Sequence, residues 1–328
     1  MQGVAEKILE RYRALLQEGA VDRLLGWKKG EFFYDPTPAV FVGEEGLSDF
    51  VYGEFCGSNL SKYLIDESKK EGRVLVCLKP CDTYSFNQLL LEHRIQRDKV
   101  FVLGVPCGGM LDMGKLRAQG ITGALDAHVE GDTVRVSTLS GGEKSCKAGN
   151  ALLLKCMTCK GKDFKAADEV LEAEVADNSM AGNRFAMVER LENMTAGERF
   201  NFWRGELSRC IRCNACRNVC PACSCRKCVF DNDASGVASK ANADSFEENM
   251  FHIIRAFHVA GRCTDCGECS RVCPQHIPLH LLNRKFIKDI DELYGEYQAG
   301  ESPDSRPPLA NFTKEDAEPS IVRERGRA

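Results

Sequence analysis

Cys210-x2-Cys213-x2-Cys216-x3-Cys220-Pro221 and, 53 residues further on, Cys263-x2-Cys266-x2-Cys269-x3-Cys273-Pro274 decide how this chain is read. Three thiolates two residues apart can cap three irons of one 4Fe–4S cube. The three-residue step and the proline then carry the fourth sulfur to a neighbouring cube. On that reading Cys210, Cys213, Cys216 and Cys273 hold one cluster, and Cys263, Cys266, Cys269 and Cys220 hold the other. The rival use of such cysteine groups is structural zinc, which would make the chain a zinc-stapled interaction protein. A lone Cys-x2-Cys fits either metal, whereas two complete runs with both prolines point to iron and sulfide. Two clusters in one chain imply electron transfer.

Bulk composition removes several other classes. The chain has 328 residues, enough for two domains, with 43% hydrophobic and 28% charged residues. A net charge of −4 gives no electrostatic case for nucleic acid or an anionic membrane. The apolar stretches at 100–105 and 151–154 fall far short of the roughly 20 residues a membrane helix needs. The first residues are charged (Glu6, Lys7, Glu10, Arg11, Arg13) and lack the apolar core of a signal peptide. With no such leader, the 18 cysteines are expected as thiolates on metal in a reducing cytoplasm.

The spacing of the cysteine runs is that of a bacterial-type ferredoxin, but their surroundings read as helical. Residues 184–191 and 198–207 lead into the first run, 246–259 lies between the runs, and 277–294 follows the second. A polar loop over 231–243 precedes the central helix. The front half reads as α/β. Residues 4–16 have helical spacing and 39–42 is a short strand. Residues 73–78 and 100–103 are strands of a parallel or mixed sheet, with a helix over 85–94 between them and a hairpin at Gly131-Asp132. The expected organisation is an α/β domain over 1–195, an all-helical two-cluster ferredoxin domain over 196–298, and a tail over 299–328. The tail's proline and charge suit disorder or docking on a partner.

Three front-half stretches carry a resemblance: Cys56-Gly57-Ser58-Asn59-Leu60-Ser61-Lys62-Tyr63-Leu64, Lys79-Pro80-Cys81-Asp82, and Gly104-Val105-Pro106-Cys107-Gly108-Gly109-Met110. With Cys156-x2-Cys159 and Ala166-Ala167-Asp168-Glu169-Val170, they are similar to signatures of the beta subunits of coenzyme F-420-dependent hydrogenases and formate dehydrogenases. The rear half resembles the 4Fe–4S dicluster portion of related subunits. The resemblance implies a third 4Fe–4S cluster in the front domain, with Cys81, Cys107, Cys156 and Cys159 as thiolates and Cys56 in reserve. Independently, Cys81 and Cys107 each follow a strand directly, so a parallel sheet would bring both to the edge where α/β proteins place ligands. The alternative is that they are small buried apolar residues.

The remaining residues divide unevenly. Gly104, Gly108 and Gly109 could cradle the pyrophosphate of FAD through backbone N–H groups, or let the backbone approach a cluster. Cys77 reads as core, and Cys146 receives no role. Cys223, Cys225 and Cys228 pack around the neighbouring cluster, or form a further metal site with Cys146, His252 or His258 as fourth ligand.

The resulting expectation is an iron–sulfur electron-transfer subunit of an anaerobic oxidoreductase complex. It would relay single electrons between a catalytic partner of formate dehydrogenase or hydrogenase type and a heterodisulfide-reductase-like or other flavoprotein subunit. The alternative is a self-sufficient FAD-containing reductase of coenzyme F-420 or a nicotinamide.

Overall fold

The computed structural model describes residues 3–180, 182–225, 228–231 and 245–309. The expected loop over 232–243 and the tail from 310 onward lie outside them. In the front half, helix α1 (Val4–Gln17) buries Val4, Ile8, Tyr12 and Leu15 at helical spacing. Strands β1 (Arg23–Lys28), β2 (Thr37–Val42) and β3 (Phe50–Val51), helix α2 (Leu64–Glu67) and strand β4 (Val74–Leu78) follow. Then come α3 (Pro80–Leu91), β5 (Val100–Gly104) and α4 (Met113–Ala118). A separate antiparallel ribbon is made of β6 (Ala124–Glu130), β7 (Thr133–Thr138) and β8 (Glu143–Lys147); α5 (Ala148–Ala151) and β9 (Glu169–Val170) complete the front half.

The main sheet has the order β2-β1-β4-β5-β9 and is mixed. β1, β4, β5 and β9 run parallel, whereas β2 and β3 pair with β1 antiparallel. All five residues of β4 are buried, as expected of a central parallel strand covered on both faces. Cys77 lies within it as core.

The helix after β4 begins at Pro80, five residues earlier than its sequence suggests. Proline suits the first helical position, where its missing N–H would be unbonded anyway. This helix reads poorly as amphipathic because its polar side is buried too. Asp82, Ser85, Asn87 and Gln88 are all enclosed, since the rear half covers them. Ser85 Oγ lies 2.8 Å from Thr264 Oγ1, and Asn87 donates to the Gly300 carbonyl at 3.1 Å.

The rear half is helical: α6 (Ala186–Glu192), α7 (Ala196–Leu207), α8 (Ala215–Asn218), α9 (Ser245–His258), α10 (Glu268–Arg271) and α11 (His280–Tyr294). A capping box starts α7, with Thr195 Oγ1 accepting from the Glu198 N–H and the Glu198 carboxylate accepting from the Thr195 N–H. Helices α6, α7, α9 and α11 enclose an apolar groove of about 950 Å³.

Gly104 at the end of β5, and Gly108 and Gly109 beyond it, are packed closely by the chain itself. A Cβ on Gly108 would stand 2.1 Å from the Ala176 carbonyl oxygen, one on Gly104 2.9 Å from the Phe164 ring, and one on Gly109 2.8 Å from Leu152. Protein atoms therefore stand where a side chain would project at Gly104, Gly108 and Gly109, so larger residues are excluded there. Gly108→Ala is expected to cost about 1–3 kcal/mol through forced backbone displacement. Thermal unfolding checks this, and an unchanged melting temperature would contradict it.

Candidate iron–sulfur sites

The two cysteine runs fold alike, residue for residue. Arg212 and Asp265, each preceding the second cysteine, have φ of 54°. Asn214 and Gly267, each following it, have φ of 61° and 69° and start the one-turn helices α8 and α10. Left-handed backbone is unfavourable for arginine and aspartate, and such strain concentrates at functional sites. Here it coils the chain so that the cysteines of each run face inward, and the N–H of Arg212 points at Cys210 Sγ (3.4 Å).

The runs also cross. One small cavity is lined by Cys210, Cys213 and Cys216 of the first run and by Cys273 of the second, with Phe251 and His252 beside them. Cys220 leaves its own run and packs with Cys263, Ala222 and Val259. The electrostatic neighbours agree. The Cys216 thiol is pushed up to about 12 by burial, with Arg255 opposing and Cys269, Cys210 and Cys273 adding to it. Burial likewise raises Cys263 and Cys266, and both feel Cys220. Among the described residues no three His, Cys, Asp or Glu side chains converge on one ion-sized point. Cys210, Cys213, Cys216 and Cys273 instead line one small cavity together. Crowded, buried thiols become thiolates only if cationic metal offsets their desolvation and repulsion, so this donor set suits iron–sulfur clusters.

The front cysteines gather as well. Parallel pairing of Leu78 with Gly104 brings the ends of β4 and β5 level. Cys81, in the first turn of α3, and Cys107, three residues past β5, therefore emerge at one sheet edge. Cys156 accepts the Met110 N–H at 3.3 Å. The 156–159 segment is held by mutual backbone hydrogen bonds to Met180. Burial raises Cys81 to about 12 and Cys107 to about 11. Cys107 is among the neighbours of Cys81, Cys156 of Cys107, and Cys81 and Cys159 of Cys156.

Cys56 is buried nearby, its Sγ 3.8 Å from the Val51 carbonyl and its pKa pushed up to about 12 by burial. A cavity of about 420 Å³ lined by Phe32, Phe33, Tyr52 and Phe55 reaches it. Cys146 sits apart on β8. Cys223, Cys225 and Cys228 share a cavity of about 500 Å³ with His258, Lys62 and Arg262.

Several charged residues around these sites were not legible from the cysteine spacing. Lys79, 1% exposed, lies over the Trp27 ring and donates to the carbonyls of Cys56 and Ser58 at 3.1 and 2.8 Å. Its Nζ is also 2.8 Å from the Asp82 carboxylate. Glu268 is fully buried between Lys155 and Arg271, each at 2.8 Å, and accepts the Asn59 N–H. Burial works to raise the Glu268 carboxyl, but Lys155 and Arg271 hold it well below the usual range. Lys160 donates to the Thr264 carbonyl, with Cys81 in front and Cys266 and Cys263 behind as its charged neighbours. Each stands within two residues of a front cysteine or a run cysteine, which is the only sequence signal that could have found them. These contacts join the front cysteines to the second run.

Residues 206–277 match the model of the 4Fe–4S dicluster domain. The chain is 24% identical to the F420-dependent formate dehydrogenase subunit beta of Methanocaldococcus jannaschii, covering 92% of this chain and 93% of the relative. The similarity to this beta subunit runs over nearly the whole of both chains. The F420-dependent formate dehydrogenase 1 subunit beta of Methanococcus maripaludis is 25% identical over 85% of this chain and 87% of its own length. A chain of the F420-reducing NiFe hydrogenase complex from Methanosarcina barkeri aligns over 45% of this chain and 56% of its own, with TM-score 0.38 and 16% identity. No described helix of the chain is long and apolar enough to cross a membrane.

Glu268→Gln would leave Lys155 and Arg271 buried without their carboxylate. A loss of about 3–5 kcal/mol is expected, read as a lower urea midpoint; an unmoved midpoint would remove this ion pair from the structural account.

Proposed function

We propose that the chain is the iron–sulfur relay subunit of an oxidoreductase complex, holding 4Fe–4S clusters at three cysteine sets. Cys210, Cys213, Cys216 and Cys273 form one set, Cys263, Cys266, Cys269 and Cys220 a second, and Cys81, Cys107, Cys156 and Cys159 the third. The observation that carries this reading is the single cavity lined by three cysteines of one run and the fourth of the other. Such sharing suits two adjacent cubes and is not needed by two independent metal sites.

Bound clusters supply one-electron donor and acceptor levels; the chain fixes their positions and surroundings. Its sets follow one another in space. Lys160 neighbours both the front set and the second set, and Cys216 of the first set neighbours Cys269 of the second. Cys213 is the exposed cysteine of the two runs, so the first set has a face open to a partner. The relatives' names support a catalytic partner of formate dehydrogenase type. A flavoprotein subunit, of heterodisulfide-reductase type or another, would take the other end.

Anaerobically purified Cys213→Ala, Cys266→Ala and Cys156→Ala variants are each expected to lose about four irons per chain relative to wild type. Undiminished iron in any one variant would strike that set from the relay.

A further inference from the structure

Helix α9 connects the two cysteine runs in sequence and turns one face toward both. Phe251, His252, Arg255 and Ala256, with Val259 just past the helix end, follow helical spacing and are all buried. Two of them are polar, and neither is engaged as a buried structural residue ordinarily would be.

The Nε2 of His252 lies 3.3 Å from Cys210 Sγ, while its Nδ1 has no partner among the described residues. The tautomer that fits these surroundings carries its proton on Nε2 and donates it to the sulfur. Arg255 is 4% exposed. Its Nη2 donates to the Cys216 carbonyl at 3.1 Å, and its Nε finds no acceptor among the described residues. No carboxylate there lies within ion-pair reach of it; its charged neighbours are Cys220, Cys269, Cys216 and Cys223. A buried guanidinium without a counter-anion is costly. The anions around this one would be thiolates drawn from both runs.

We propose that α9 sets the reduction potentials of the two rear clusters. His252 acts on the set containing Cys210 as a hydrogen-bond donor to its sulfur, and Arg255 acts on both sets as a shared positive charge. This rests on the cluster reading above. Reduction adds negative charge to a cluster, so a donor to its sulfur or a nearby cation stabilises the reduced state and raises the potential. Both are positioning residues that touch no substrate.

The test is an EPR-monitored redox titration of the full chain, with iron counted in every sample. His252→Leu removes the donor and His252→Gln keeps one. Arg255→Gln keeps a donor toward the Cys216 carbonyl without the charge, and Arg255→Lys keeps the charge. His252→Leu is expected to move one rear midpoint to more negative potential, and Arg255→Gln to move both. Each shift should be at least about tenfold in the oxidised-to-reduced ratio, or about 59 mV for one electron. The two conservative variants, His252→Gln and Arg255→Lys, should stay near wild type. Full iron with unmoved midpoints in both His252→Leu and Arg255→Gln would overturn the proposal. So would loss of iron in both, which would make α9 a structural support. A wild-type chain without iron would instead overturn the cluster reading itself.

Discussion

The exchange of Cys220 and Cys273 between the two cysteine runs is the constraint on which the rear half depends. Each run coils through two left-handed residues, Arg212 with Asn214 and Asp265 with Gly267, and on the proposed reading neither run completes a four-sulfur set alone. Their one-turn helices α8 and α10 must therefore pack side by side, and the helices around them must bring the runs together. Burial explains why this core needs inorganic partners. Cys216 and Cys269 sit among Leu207, Phe251 and Ile277, where an uncompensated thiolate is strongly disfavoured. Metal ligation reverses that preference and joins folding to cofactor insertion.

The front half is tied to this core by buried charge. Glu268 with Lys155 and Arg271, Lys160 on the Thr264 carbonyl, and Arg284 bridging Asp265 and Thr158 all cross from the second run to the front cysteines. An ion pair this deep gives little net stability over a well-packed apolar contact, but removing one partner is expensive. It therefore holds one relative placement of the halves, as a relay between neighbouring sites requires. Neutral contacts add to them on α3, where Ser85 meets Thr264 and Asn87 meets the Gly300 carbonyl.

Much of this was legible in the residues. The cysteine spacing put Cys273 beside the first run and Cys220 beside the second, as the structure has them, and parallel strands ending just before Cys81 and Cys107 put both at a common sheet edge. The helices flanking the runs lie close to where periodicity put them. Three things were hidden, each for a physical reason. The helix after β4 starts at Pro80, because its polar first turns are buried against the rear half and break the amphipathic pattern. Strands β1 and β8 gave weak signals, β1 because Arg23–Lys28 mixes charge with apolar residues and β8 because Glu143–Lys147 is polar and largely exposed. The close packing of Phe164, Leu152 and the Ala176 carbonyl on Gly104, Gly109 and Gly108 was hidden because these neighbours come from distant sequence.

Quantifying metal and acid-labile sulfide in the full chain isolated without oxygen tests the central claim most directly. Three cysteine sets of the kind described predict about twelve irons and as many sulfides per chain, with magnetic interaction between reduced clusters in the EPR spectrum. Zinc in place of iron, or a colourless protein without sulfide after anaerobic reconstitution, would contradict it.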